Sequence, residues 1–225
     1  MHKLRTSLAV AVTVAFFTPV AAQQQPGPDG GATAAQLESA AIEVPLLLEL
    51  LELEPGMSVA DVGAGFGAWT ISFSESIGPA GSVFASDIGE QQLAALRQAV
   101  ARGSLTNVTV VEGAERSTNL PPGCCDAIRI RDASQHLTQP GDFTRSLAAA
   151  LKPGGRLAVV DFPPRAETSV PAGVPANRGG HGVPPDVVVA EVTAAGLTHV
   201  STNTEWSSAS QPASLFLVLF QKPAP

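Results

Sequence analysis

An aspartate and a histidine four residues apart, Asp132 and His136, stand in the segment Arg131-Asp132-Ala133-Ser134-Gln135-His136. On a short helical turn that spacing puts a carboxylate and an imidazole on one side, a general base with an orienting partner. The competing reading is that Asp132 caps a helix and His136 is merely exposed. A second imidazole, His181, lies in Asn177-Arg178-Gly179-Gly180-His181-Gly182. This is the most polar part of a stretch with six prolines and four glycines among the 23 residues after Phe162. So many turn formers exclude a regular element. A long insertion of this kind reads as a lid over a site, with His181 near the bound substrate, or else as an unstructured surface loop.

A third pattern points to a ligand. Val59-Ala60-Asp61-Val62-Gly63-Ala64-Gly65-Phe66-Gly67 places three glycines at the exit of a short apolar run. Glycine there permits positive φ and lets a ligand approach backbone without meeting a Cβ. Asp87 ends the next apolar run 20 residues after Gly67, where a carboxylate can accept hydrogen bonds from ribose hydroxyls. Together these indicate an adenosine-containing ligand. The spacing alone does not separate a nicotinamide cofactor from S-adenosylmethionine, because G-x-G-x-G differs from the G-x-G-x-x-G dinucleotide fingerprint.

The elements that must position these residues alternate. Strands are expected at 58–62, 81–86, 107–111, 125–131 and 156–161, separated by helices that end near 77, 101 and 151. A helix is expected over 185–195, then two strands, 198–206 and 214–221, joined by a polar turn. Ala34 to Leu53 has helical spacing, with Pro45 expected to divide it in two, and Pro153-Gly154-Gly155 reads as a turn. Short apolar strands alternating with helices build a parallel sheet covered on both faces. The fold expected is one doubly wound, Rossmann-like α/β domain whose last strand pair forms an antiparallel hairpin.

Several segments then resemble, in order, the class I S-adenosylmethionine-dependent methyltransferases. The glycine segment 59–67 is similar to their first motif, and Val83-Phe84-Ala85-Ser86-Asp87 to the strand bearing their ribose acid. Leu120-Pro121-Pro122-Gly123-Cys124-Cys125-Asp126-Ala127 resembles the approach to their fourth strand, and Leu151-Lys152-Pro153-Gly154-Gly155 the turn before their fifth. The resemblance spans about residues 37–220 and implies a seven-stranded, mostly parallel sheet with S-adenosyl-L-methionine as cofactor. It implies Asp61, Gly63, Ala64, Gly65 and Gly67 around the amino-acid part, Asp87 on the ribose and Ile88 against the adenine. The family's G-D-A at the adenine amino group is replaced here by Val111-Glu112-Gly113-Ala114-Glu115, so Glu112 or Glu115, beside Ala114, must serve instead. Similar enzymes often carry R-D followed by two histidines where this chain has Arg131, Asp132, Gln135 and His136. The resemblance makes methyl transfer the leading reading. A protein of the same fold that binds the cofactor or a nucleoside without catalysis is the alternative.

Composition bounds the rest. With 225 residues, 44% hydrophobic and 15% charged, the chain can bury one α/β core and is not disordered. A net charge of -7 disfavours nucleic acid as substrate, which leaves a small-molecule acceptor. Residues 1–22 have Lys3 and Arg5, an apolar run over 8–17 and Val20-Ala21-Ala22, the pattern of a signal peptide. Removing Lys3 and Arg5 takes the mature chain from -7 to -9, and its expected location is periplasmic or secreted, with no stable membrane span. Residues 23–32 read as a flexible linker and 33–225 as the domain. Cys124 and Cys125 are expected as packed thiols rather than a redox pair, because a disulfide between neighbours is strained. No metal site is expected, and His199, Phe66 and Trp69 read as structural. Arg129, a charge in a central strand, requires a partner that the sequence does not identify.

Overall fold

The strand segments 58–62 and 125–131 are short and apolar on both faces, and they become the centre of the sheet. The computed structural model of the protein describes residues 26–165, 168–208 and 211–224. The signal peptide expected over 1–22 lies outside the described residues. Seven strands, β1 (Ser58–Val62), β2 (Ser82–Asp87), β3 (Val108–Glu112), β4 (Cys125–Arg131), β5 (Leu151–Asp161), β6 (Thr198–Ser208) and β7 (Gln211–Gln221), lie in the order β3-β2-β1-β4-β5-β7-β6. β7 runs antiparallel to β5 and to β6, so the terminal hairpin has the place and direction expected of it. The order reverses between β1 and β4, whose carboxyl ends form the crevice in which ligands of such sheets bind.

Helices α1 (Ala34–Leu50), α2 (Ala68–Ile77), α3 (Glu90–Gly103), α4 (Pro140–Ala150) and α5 (Pro185–Ala194) cover the sheet. One core layer joins Ala40, Val44, Leu47, Trp69 and Phe73 to Val59, Ala127 and Leu217. The other joins Ile128, Ile130 and Val159 to Phe143, Leu147 and Val188. Pro45 does not divide α1 as expected: the helix runs through it. Thr33 and Gln36 close a reciprocal capping box at its start, and Pro45 sits on the exposed face, where the carbonyl it leaves unpaired can reach water. Residues 26–32, the expected linker, form a tight turn whose Asp29 pairs with Arg102 of α3 at 3.2 Å.

Pro153-Gly154-Gly155, expected as a turn, is instead a bulge inside β5. Cys125 pairs with Leu151 and Ala127 with Arg156, so four residues of β5 stand opposite Asp126 alone. A Cβ on Gly155 would lie 2.8 Å from the Asp126 carbonyl oxygen, so the bulge requires glycine there. The packed thiols expected at 124 and 125 are also corrected, because Cys124 and Cys125 form a disulfide. Cys124 belongs to the turn before β4 and escapes the alternation of strand side chains, which lets its sulfur reach that of its neighbour. So short a ring removes little chain entropy. Cys124→Ser/Cys125→Ser is expected to lower Tm by no more than about 5 °C, checked by calorimetry.

Candidate active site

The glycine turn leaves β1 with Gly63, Gly65 and Gly67 all at positive φ. At Gly63 (φ +68) a side chain is excluded twice, because a Cβ would also stand 2.8 Å from the Ala133 Cβ. The turn after β1 therefore lies directly against the turn after β4. Gly65 N–H donates to the Asp87 Oδ2 at 2.9 Å, and Ile88 N–H (2.8 Å) and Gly89 N–H (3.1 Å) donate to Oδ1. Asp87 thus ties the end of β2 to the glycine turn with its carboxylate at the crevice. Ile88 beside it is 60% exposed, an unusual placement for an isoleucine that leaves a flat apolar surface for an adenine ring. Glu112 is exposed and pairs in register with Asp87, and Ala114 is exposed in the turn closed by Ser117. These residues fit an adenosine ligand: a carboxylate for diol hydroxyls, an apolar platform and a turn open to backbone contact.

Asp61 is placed differently from the glycines. It is fully buried, with Oδ1 against Arg129 Nη1 at 2.5 Å and Oδ2 accepting from the Thr70 hydroxyl at 2.7 Å. Arg129 is its neighbour in the β1–β4 register and supplies the account the sequence lacked. Around this pair lies a charged cluster that sequence reasoning missed. Glu43 of α1, 1% exposed, accepts from Trp69 Nε1 and Trp206 Nε1, each at 2.5 Å, and faces Arg131 Nε at 3.3 Å. Arg129 and Arg131 lie 4.5 and 4.4 Å from the Trp69 ring centre, a cation–π arrangement. Burial works against the Arg129 charge, and Asp61 and Glu43 offset it. Asp61 therefore reaches the glycine turn through Thr70 and Arg129, and Trp69 is the centre of an ionic cluster as well as core.

The cluster ends at the catalytic candidates. Arg131 Nη1 holds Asp132 Oδ2 at 2.5 Å, and Asp132 has φ +50, a conformation rare outside glycine. That backbone turns the chain out of β4 into a single 3-10 turn, Ser134–His136. The ring facing His136 is that of His181, with centroids 5.4 Å apart, and Phe162 meets His181 edge-on at 5.3 Å. The loop after β5 thus brings the two histidines singled out from sequence together. It is anchored by buried Arg178, which pairs with Glu191 of α5 at 2.9 Å, and it passes over the 134–138 turn, where Gly173 stands against Thr138. Desolvation, then the facing His181, holds His136 below the ordinary imidazole range, with Asp132 acting the other way. Desolvation and Arg165 lower His181 likewise. Both rings are therefore neutral near pH 7 and able to take a proton. His181 Nε2 is buried with no hydrogen-bond partner among the described residues. His199 lies elsewhere, bonded to Thr202 on β6.

Residues 59–155 match the protein family described as "Methyltransferase domain". Fold and matched segment define a class I S-adenosylmethionine-dependent methyltransferase domain, with S-adenosylmethionine as its cofactor. Among similar proteins, the ubiquinone/menaquinone biosynthesis C-methyltransferase of Ectopseudomonas mendocina is 33% identical over 116 residues, 51% of this chain and 45% of that protein. A demethylmenaquinone methyltransferase of Listeria monocytogenes is 31% identical over 114 residues, covering 51% and 48%. The chain spans about half the length of these relatives. In structure it is similar to an S-adenosylmethionine-dependent methyltransferase from Aquifex aeolicus, with TM-score 0.65 and 24% identity over 84% of this chain and 93% of that one. It also shares its fold with the cyclase SpnF, with TM-score 0.68 and 16% identity over 82% of each chain.

Proposed function

We propose that this protein transfers a methyl group to a small-molecule acceptor, outside the cytoplasm if the leader at 1–22 is a signal peptide. The observation that supports it most is the contact of Gly63 with Ala133, which sets the cofactor turn against the turn carrying His136. S-adenosylmethionine, when bound, supplies a methyl group on a sulfonium that an in-line nucleophile can take. Asp87 would hold the ribose, Ile88 the adenine and the backbone of Gly63, Ala64, Gly65 and Gly67 the amino-acid part. Glu112 and Ala114 border the adenine position. Asp61 would support the turn from beneath. The chain's own chemical work is to orient the acceptor, exclude water and receive a proton. The neutral His136 and His181 suit that last task, with the unpartnered His181 Nε2 aimed at an acceptor hydroxyl and Asp132 steadying charge on His136. The relatives' names make a reduced short-chain demethylmenaquinone the first acceptor to try.

Calorimetric titration with S-adenosylhomocysteine tests the reading. Asp87→Ala is expected to weaken binding about 100-fold, since a charge-assisted acceptor for two hydroxyls is lost along with its hold on the glycine turn. Binding unchanged in the variant, or absent in the wild type, would overturn the assignment. His181→Ala is expected to leave that binding intact and lose turnover, whereas a protein that only binds the cofactor would show no turnover to lose.

A further inference from the structure

Asp161, the last residue of β5, has no solvent exposure and belongs to none of the motifs above. Its carboxylate collects donors from two chain segments. Ser134 Oγ–H donates to Oδ2, Gln135 N–H reaches the same oxygen at 3.3 Å, and Phe162 N–H donates to Oδ1 at 2.9 Å. Ser134 and Gln135 belong to the 3-10 turn that ends at His136. Phe162 carries the ring that meets His181. Val183 N–H donates to the Phe162 carbonyl at 3.1 Å, and Arg165 N–H to the His181 carbonyl at 3.0 Å, so the His181 backbone is fixed from the same strand end.

We infer that Asp161 is a positioning residue for the methyl-acceptor site: it clasps the turn bearing His136 to the strand end bearing Phe162 and so sets the approach of His136 to His181. The inference rests on the proposed role of the two histidines. A carboxylate suits the place because it accepts at both oxygens and brings no donor that would need burying. Its location is costly, because the Asp132 carboxylate acts on it and nothing cationic touches it directly among the contacts described. The charged and titratable groups around it are Asp132 at the end of β4, Arg131 paired with Asp132, His136 on the turn and His181 behind Phe162. β7 sets Phe216 opposite it. Burial first, then Asp132, pushes the carboxyl up to about 7, against the three hydrogen bonds. The clasp therefore tightens as pH rises through neutrality, where a protonated oxygen becomes a carboxylate that accepts.

The test is histidine imidazole NMR on the whole protein, with Asp161→Asn and Ser134→Ala beside wild type. In wild type the His136 ring signal is expected to carry an inflection near pH 7 besides its own titration, and to show a cross-relaxation peak to His181. In Asp161→Asn the inflection should vanish and the peak should weaken at least about threefold, with S-adenosylhomocysteine affinity kept within about threefold. Turnover should fall about tenfold or more at unchanged cofactor KM. Ser134→Ala removes a donor to the charged form, so its inflection should move to higher pH. An inflection that persists in Asp161→Asn or stays in place in Ser134→Ala overturns the inference, and the serine variant decides if the asparagine variant fails to fold. Because the NMR readout needs no turnover, failure to methylate would count against the proposed function and leave the clasp standing.

Discussion

Arg129→Ala is expected to cost about 3–5 kcal/mol of folding free energy, because it strands the Asp61 carboxylate, fully buried, without its cation. The loss exceeds what the ion pair contributes to a folded chain, since bringing both charges out of water consumes most of their attraction. Removing both charges separates the two quantities. Asp61→Leu/Arg129→Met keeps the volume near constant and is expected to recover most of the loss. Urea unfolding at neutral pH would show it. A loss below about 1 kcal/mol in Arg129→Ala would mean that the surrounding cluster, with Glu43 and the Trp69 ring, redistributes to cover Asp61. The site would respond before the fold does. Asp61 holds Thr70 at the start of α2, so cofactor affinity should fall even under conditions where Arg129→Ala is folded.

What could be read from sequence here was local, and what could not was pairing. The glycine turn, Asp87 and the strand–helix alternation are short patterns whose physics acts within a few residues, and the structure has them where the patterns put them. Pro45 was misjudged because its effect depends on which face of α1 it occupies, and only packing decides that. Arg129 was visible as an unpaired charge, yet its partner lies 68 residues away and meets it only through the β1–β4 register. Glu43 left a fainter sign. It interrupts the apolar stripe Ala40, Val44, Leu47 on α1, and a lone acid on a buried face implies a buried cation or donor somewhere. Two arginines in one apolar strand and one glutamate on an apolar helix face were a charge balance waiting to be made. His136 and His181 were each singled out alone, and their meeting depends on the long loop folding back under the hold of Arg178 on Glu191.

Asp161 should make the protein more stable in mild acid than its neighbours alone would allow. Its carboxyl sits at about 7 in the folded protein against 3.8 for the ordinary group. The folded state therefore holds the proton more tightly than the unfolded chain does. The stabilisation from that proton is complete below about pH 3.8, falls as pH rises through the window between the two values, and is gone above about 7. Three units correspond to up to about 4 kcal/mol across the window. Asp161→Asn keeps the shape of the neutral acid and cannot ionise, so its unfolding free energy should lack this term. The difference between wild type and variant, from urea unfolding at pH values spanning the window, is expected to grow with pH in favour of the variant. A constant difference would show that the folded carboxyl titrates where an exposed one does. A gain in stability at neutral pH, obtained by loosening the turn that holds His136, is what a residue retained for the site rather than for the fold should yield.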